Sequence, residues 1–451
     1  MRALAILGMA AMVDDFSAIL FFSMVFGMFA FDSTESLPRG ADRFKAMQAA
    51  TDLIYLDWAA SAPPEPAALE EAREVSLRYF ANPSSPHLAG RRAEEKLVEA
   101  RARFAGTLGV QPREIVFTSG GTESNTALLL SLLDRHRLGG VERQKAAIVT
   151  TEIEHASVYE QARILQAHGV ACTFVRPRAD GTVDPQAVAA VVDPHTVLVS
   201  VMLVNNETGA VQDVAAVARA VRDASRGGRR VLVHTDAVQA LGKIPFSLAE
   251  MGVDAASFSG HKIGAPRGIG ALYLRGTVSP GFLSVGGGQE AGRRPGTENL
   301  AGIAAMAAAA VLRKEHLEAN LARAKDHARL LVEGIRGIRG AWTIPVTRDP
   351  ADDARWSPYI VSAAFPPLPA EVVVRAAEER GYCISAGSAC SSRKKDRTRV
   401  PESMGLPGET ARCAVRISIG PSTTTEQVRG FLSAMTEAVP PLLSISQGRG
   451  A

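Results

Sequence analysis

Residues 257–270 read Ser257-Phe258-Ser259-Gly260-His261-Lys262-Ile263-Gly264-Ala265-Pro266-Arg267-Gly268-Ile269-Gly270. The apolar run from Asp254 to Phe258 gives way to small residues and a glycine-rich turn, which predicts a strand with Lys262 at its end, facing a cleft. Beside apolar walls and other positive charge a lysine amine loses its proton more easily and can form a Schiff base with an aldehyde cofactor. A solvated loop lysine is the alternative. Upstream, Val233-His234-Thr235-Asp236-Ala237-Val238-Gln239 reads as a buried strand that delivers an acid and an amide just past its end. Pyridoxal phosphate needs such an acid to keep its pyridinium nitrogen protonated.

The pair HTDAVQ (234–239) and SFSGHK (257–262) resembles the cysteine desulfurases, class V members of the fold-type I pyridoxal phosphate enzymes. The resemblance runs from about Leu53 to about Ala438 and leaves out the first fifty residues. It implies a homodimer that converts L-cysteine to L-alanine and parks sulfur as a persulfide. The onward acceptor would be an iron–sulfur scaffold or a thiolation enzyme. Selenocysteine lyase, another class V aminotransferase and a non-catalytic sulfur-relay subunit are the alternatives.

Composition is that of a globular protein: 451 residues, 46% hydrophobic, 22% charged, formal net charge +3. So small a charge gives no argument for nucleic acid. Four cysteines, Cys172, Cys383, Cys390 and Cys413, lack metal-type spacing and are too few for a disulfide framework. They read as reduced thiols in a cytoplasmic setting, with no metal site expected. Residues 1–50 differ from the rest. The uncharged run Phe16–Phe31 is shorter than the roughly 20 residues a spanning helix needs, and Arg2 alone is a thin basic region for a signal. The favoured reading is upstream sequence translated ahead of Met47; an anchor and an atypical signal are the alternatives.

Strands and helices are expected to alternate from Glu114 to His234, which implies a mostly parallel sheet covered on both faces, with ligands beyond the carboxyl ends of the strands. Beyond about residue 315 long charged helices predominate. The expected organisation is therefore α/β, of the fold-type I transferase kind: a large cofactor domain over 51–314 and a smaller α+β domain over 315–445.

After the strand Glu114–Phe117, Thr118-Ser119-Gly120-Gly121-Thr122-Glu123 opens a helix, an arrangement that suits a phosphate but is equally common in plain turns. The resemblance makes Gly121 and Thr122 part of a phosphate loop and adds Ser259 and His261 as further phosphate ligands. It places His155, in Glu154-His155-Ala156-Ser157, over the cofactor ring, where it could also relay protons; a satisfied structural histidine is the plain alternative. In Val204-Asn205-Asn206-Glu207 it puts Asn206 near the cofactor phenolate and the substrate carboxylate, with Gln239 also toward the phenolate. Thr297, in the loop Arg293–Asn299, would reach the phosphate of a partner subunit.

Cys390 ends the small-residue turn Ser385-Ala386-Gly387-Ser388-Ala389 and precedes the basic run Arg393–Arg397. Nearby positive charge favours thiolate, whereas Cys383 and Cys413 read as buried structural cysteines. The resemblance makes Cys390 the sulfur-accepting nucleophile beside Lys262, the Schiff-base lysine. After the cysteine, RKKDRTRVPESMG departs from the family's commoner pattern, which bears on the acceptor protein more than on the reaction. Arg416, alone on the apolar strand Ala414–Gly420, needs a partner. A structural salt bridge would serve, and the resemblance assigns it the substrate carboxylate.

Overall fold

The computed structural model describes residues 53–131, 145–276, 278, 286–349, 354–387 and 398–448. Residues 1–52 and Cys390 lie outside them. The chain opens with β1 (Ile54–Tyr55), α1 (Pro66–Arg78) and α2 (Leu88–Leu108), the last closed by Gly109 in the left-handed region at φ 68°. Then come β2 (Ile115–Thr118), α3 (Gly121–Ser131), β3 (Ala147–Thr151), α4 (Ala156–Ala167) and β4 (Ala171–Val175). The rhythm continues through α5 (Pro185–Ala190), β5 (Thr196–Ser200), α6 (Val214–Ala224), β6 (Leu232–Asp236), α7 (Leu248–Met251), β7 (Ala255–Ser259) and β8 (Gly270–Leu274).

Strands β2 to β8 form one seven-stranded sheet in the order β2-β8-β7-β6-β5-β3-β4. Only β8 runs against its neighbours, pairing antiparallel with both β2 and β7. Strands β3, β5, β7 and β8 are buried along their whole length, as expected when helices cover both faces. Successive side chains feed two separate cores. Val116, Ile148, Leu198 and Ala255 join Leu128, Leu129 and Val158 of α3 and α4 on one face. Their neighbours Phe117, Val149, Val199 and Ala256 face the larger core with Phe104 of α2. There Phe104 meets Phe258 edge to face, ring centres 6.2 Å apart.

The chain continues with α8 (Leu300–Glu315), α9 (Leu317–Gly337), β9 (Trp342–Ile344), β10 (Ile360–Ala364), α10 (Ala370–Glu378) and β11 (Tyr382–Cys383). It finishes with α11 (Arg399–Ser403), α12 (Gly408–Ala411), β12 (Ala414–Ser418) and α13 (Thr425–Gly448). Strands β12, β10 and β9 make a three-stranded antiparallel sheet. The first strand of the chain belongs with this late part: β1 runs parallel to β11. The Leu56 amide donates to the Cys383 carbonyl at 2.9 Å, and the Ser418 amide donates to the Leu56 carbonyl at 2.8 Å. Among the described residues no helix is long and apolar enough to cross a membrane.

His234, buried in β6, ties three strands together. Its Nδ1 lies 2.8 Å from Ser200 Oγ of β5 and its Nε2 lies 2.9 Å from Ser257 Oγ of β7. Burial pushes its pKa down to about 3. The folded protein keeps this ring neutral while the unfolded chain protonates near pH 6.5. Its contribution is therefore complete above that pH and is lost as pH falls toward 3, by about 1.4 kcal/mol per unit. Urea unfolding between about pH 6.5 and pH 5 should show up to about 2 kcal/mol of loss from this source, and a flatter profile in His234→Asn.

Candidate active site

Five strands of the large sheet end at one cleft of about 400 Å³. Strand β7 runs into a 3-10 turn, Gly260–Lys262, which brings Lys262 to the cleft as expected. Its Nζ donates to the carbonyl oxygens of Ala59 and Ala60, each at 2.7 Å. Those carbonyls belong to the turn that follows β1. Next door β6 ends on Asp236, buried, whose Oδ1 accepts from the Val238 amide at 3.0 Å and whose Oδ2 accepts from Asn125 Nδ2 at 2.8 Å.

Gln239 also lines the cleft, but its amide is already engaged. Nε2 donates to the Ala59 carbonyl at 2.9 Å, and Oε1 accepts from Lys243 Nζ at 2.6 Å. Lys243 escaped the sequence reading. It is buried, and burial first, then the charges of Lys262, Arg313 and Arg416, hold its pKa well below the usual lysine range.

The N-terminus of α3 forms one wall. A Cβ on Gly121 would stand 2.7 Å from Val238 Cγ2 and 3.4 Å from Ser259 Cβ, so a side chain here would force Val238 aside and crowd the recess beside the helix N-terminus. Thr122 and Ser259 line the same wall. His261 Nδ1 lies 3.1 Å from Ser61 Oγ, and its pKa is pushed down to about 4 by burial and by the charges of Lys262 and Lys243.

His155, directly after β3, lines the cleft and caps α4, its Nδ1 accepting from the Ser157 amide at 3.1 Å. Burial lowers its pKa, against the pull of Asp236. The adjoining Glu154 is fully buried. Its Oε1 accepts from Thr151 Oγ1 and from the Met202 amide, both at 2.8 Å. Burial, with a smaller push from Asp236, raises its pKa to about 8, so at neutral pH it is mostly a neutral acid. A Glu-His pair after an apolar strand was the signal available for it.

Asn206 and Arg416 close the far side. Arg416 donates from one terminal nitrogen to the Asn206 carbonyl at 2.9 Å and from the other to Asp57 Oδ1 at 2.7 Å, while its buried Nε has no hydrogen-bond partner. Arg416 thus makes a salt bridge while lining the cleft. Asp57 was invisible as its partner, 359 residues away in sequence. Just upstream of the undescribed segment, Ser385 exchanges two backbone hydrogen bonds with Arg416, at 2.7 and 3.1 Å. Just beyond it, Arg399 donates to the carbonyls of Glu152 and Glu154 and lies 4.0 Å over the Tyr159 ring.

Thr297 is exposed and does not line the cleft; its loop is tied back by Arg294, which meets Glu123 at 2.9 Å. The described cysteines are free thiols: Cys413 is buried, Cys383 and Cys172 partly so, and burial raises the pKa of each, Cys172 to about 11. Among the described residues no group of His, Cys, Asp or Glu could hold a metal ion.

This donor set fits pyridoxal phosphate. An amine and a carboxylate stand at adjacent strand ends, a helix N-terminus carries a glycine recess, and the buried Asn125 Oδ1 and Arg416 Nε are unpartnered. Comparison with known proteins points the same way. The family description "Aminotransferase class-V" matches residues 54–431. The chain is 33% identical over 398 residues to cysteine desulfurase IscS of Salmonella arizonae, covering 87% of this chain and 94% of that one. It is 34% identical over 395 residues to a cysteine desulfurase of Nostoc sp., with the same coverage. Among solved structures, a NifS-like protein superposes with a TM-score of 0.78 at 34% identity, over 87% of this chain and 100% of the other. A structure described as SspA in complex with cysteine gives 0.69 at 31%, over 82% and 99%.

Filling the glycine recess should expel the cofactor. In Gly121→Ala the methyl must displace Val238, so bound pyridoxal phosphate, measured by its visible absorbance after gel filtration, should be retained at least about tenfold more weakly, the effect of roughly 1.4 kcal/mol of overpacking. Unchanged retention would show that the recess does not receive the phosphate.

Proposed function

The chain belongs to the class V aminotransferase family, and from that premise we propose that it is a pyridoxal phosphate-dependent cysteine desulfurase, converting L-cysteine to L-alanine with sulfur passed to Cys390. The observation that carries this reading is the convergence of Lys262, Asp236 and Arg416 on one cleft from β7, β6 and β12. When bound, pyridoxal phosphate supplies a carbonyl for the substrate amine and a ring that accepts the electron pair left on carbon.

The protein's own residues do the rest. Arg416, already steadied by Asp57, would present its unpartnered edge to the substrate carboxylate, with Asn206 beside it. Lys262, held by the carbonyls of Ala59 and Ala60, stands where it can take the proton from substrate Cα and later return it. Asp236 keeps a proton on the ring nitrogen it would face. Gly121, Thr122, Ser259 and His261 would hold the phosphate, His261 as a neutral donor. His155 and Gln239 would flank the ring.

The Cys390 thiolate would then attack the substrate sulfur. An S–S bond forms as C–S breaks, and the electron pair left on carbon is protonated to give alanine. The raised pKa values of Cys172, Cys383 and Cys413 support Cys390 as the nucleophile, since burial disfavours thiolate at those three.

Several further proposals rest on the family resemblance. The enzyme would be a homodimer, a reading supported by Thr297 being exposed and lying outside the cleft of its own chain. It would divide into a large domain over 51–314 and a small one over 315–445, act in the cytoplasm, and hand its sulfur to an acceptor protein of iron–sulfur or thiolation type.

Incubation with L-cysteine, following alanine and protein persulfide together, tests the reaction. Lys262→Ala should lower turnover at least about a hundredfold and remove the visible absorbance of the resting enzyme. Cys390→Ser should retain that absorbance yet accumulate no persulfide. Persulfide mapped to Cys172, Cys383 or Cys413, or full activity in Cys390→Ser, would overturn the proposed sulfur route.

A further inference from the structure

Asn125, buried on α3, donates from its one Nδ2 to Asp236 Oδ2 and to Ser157 Oγ, each at 2.8 Å. A carboxylate has no hydrogen to give, so this contact fixes which end of the Asn125 amide is nitrogen. Ser157 Oγ lies 2.8 Å from His155 Nδ1, and the Ser157 backbone amide donates to the same nitrogen at 3.1 Å. A backbone amide can only donate, so Nδ1 must be an acceptor and carries no hydrogen. Because Ser157 Oγ accepts from Asn125, its own hydrogen is available for Nδ1. The hydrogen bonds therefore run in one direction, Asn125 to Ser157 to His155, from the nitrogen that also serves Asp236.

We infer that His155 is held as the neutral imidazole with its hydrogen on Nε2, and that Asn125 and Ser157 are positioning residues that set this tautomer and aim the Asp236 carboxylate at the same time. A general base needs a bare nitrogen. Nδ1 is consumed by the cap of α4, and Nε2 already bears a hydrogen, so a second proton enters only by breaking that cap. His155 then offers a flat face and one N–H donor, and proton transfer at Cα falls to Lys262. The functional half of this assignment rests on the desulfurase reading; the protonation state does not.

The surroundings agree. Asp236 at the end of β6 favours a charged ring. Burial opposes it first, together with Lys262 after β7, Arg399 of α11 and Arg416 of β12. His261 is a further neighbour, itself kept neutral, and the adjoining Glu154 is mostly protonated at neutral pH.

The test uses holoenzyme labelled with nitrogen-15 at histidine. Long-range proton–nitrogen correlation would be followed from about pH 5.5 to about pH 8.5, the span over which an ordinary histidine titrates. His155 is assigned by the signals missing in His155→Gln. The expected pattern is an acceptor-type Nδ1 and a protonated Nε2, constant over the range. Ser157→Ala should move the Nδ1 shift while the ring stays neutral. Asn125→Ala should shift the pH midpoint of the bound cofactor's absorbance and lower kcat about tenfold with KM little changed, because Asp236 and Ser157 each lose a buried donor.

A His155 ring that titrates within the range, or that carries its hydrogen on Nδ1, overturns the tautomer assignment. Wild-type absorbance midpoints in Asn125→Ala overturn the role of Asn125; should that variant fail to fold, Ser157→Ala with an unmoved Nδ1 shift overturns the chain of bonds. Wild-type enzyme that makes no alanine would defeat the desulfurase reading and leave the tautomer result standing.

Discussion

Two hydrogen bonds of 2.7 Å, from Lys262 Nζ to the carbonyls of Ala59 and Ala60, join the end of the large sheet to the turn after β1. Much of the cleft depends on that junction. The same Ala59 carbonyl receives Gln239, and Gln239 in turn receives Lys243. The segment that offers these carbonyls has little structure of its own. It is fixed from outside, by the Cys383 carbonyl and the Ser418 amide on Leu56, and by Ser418 Oγ on the Ala59 amide at 2.9 Å. Trp58 locks it further, for its ring lies where a Cβ on Gly420 would stand, within 2.1 Å. The lysine is therefore positioned by residues from both ends of the chain.

Much positive charge is crowded behind the cleft. The charges of Lys262, Arg313 and Arg416 disfavour a proton on Lys243, and Asp57 and Glu65 are the carboxylates paired with Arg416 and Arg313. Such crowding costs stability in an empty site and is relieved when anions enter. A phosphate and a substrate carboxylate are both anions. Glu154, mostly protonated at neutral pH, adds little negative charge beside Asp236.

The sequence reading recovered what was locally encoded. Short buried strands followed by turn residues placed β6 and β7, and with them Asp236 and Lys262, at the cleft. Pro66 and Gly109 bounded the first helices, because each residue has a backbone reason to stand at a helix end. Strand β8 begins at Gly270, where the glycine-rich stretch stops, and the rest of it was not anticipated. Its five buried residues show no alternation, and nothing local reveals that a strand will run antiparallel. The site's supporting residues were missed for a different reason. Asp57 to Arg416, Gln239 to Ala59 and Asn125 to Asp236 are contacts across 359, 180 and 111 residues, and long separation leaves no periodic trace. Of the alternatives for Arg416, the structure shows the salt bridge, to Asp57, in a side chain that also lines the cleft.

The pairing of β1 with β11, and of Leu56 with Ser418, also sets when in the life of the molecule the cleft can exist. A chain emerging from the ribosome exposes Asp57 and the Ala59 carbonyl early, while the groups that fix them, Cys383, Arg416 and Ser418, are made near the end. The large sheet can form in the meantime, since its strands span residues 115 to 274 and need nothing later for their pairing. A chain that ends before β12 lacks Arg416 and Ser418, the partners of Asp57, Leu56 and the Ala59 amide, so the seat of Lys262 is complete only when synthesis is almost finished.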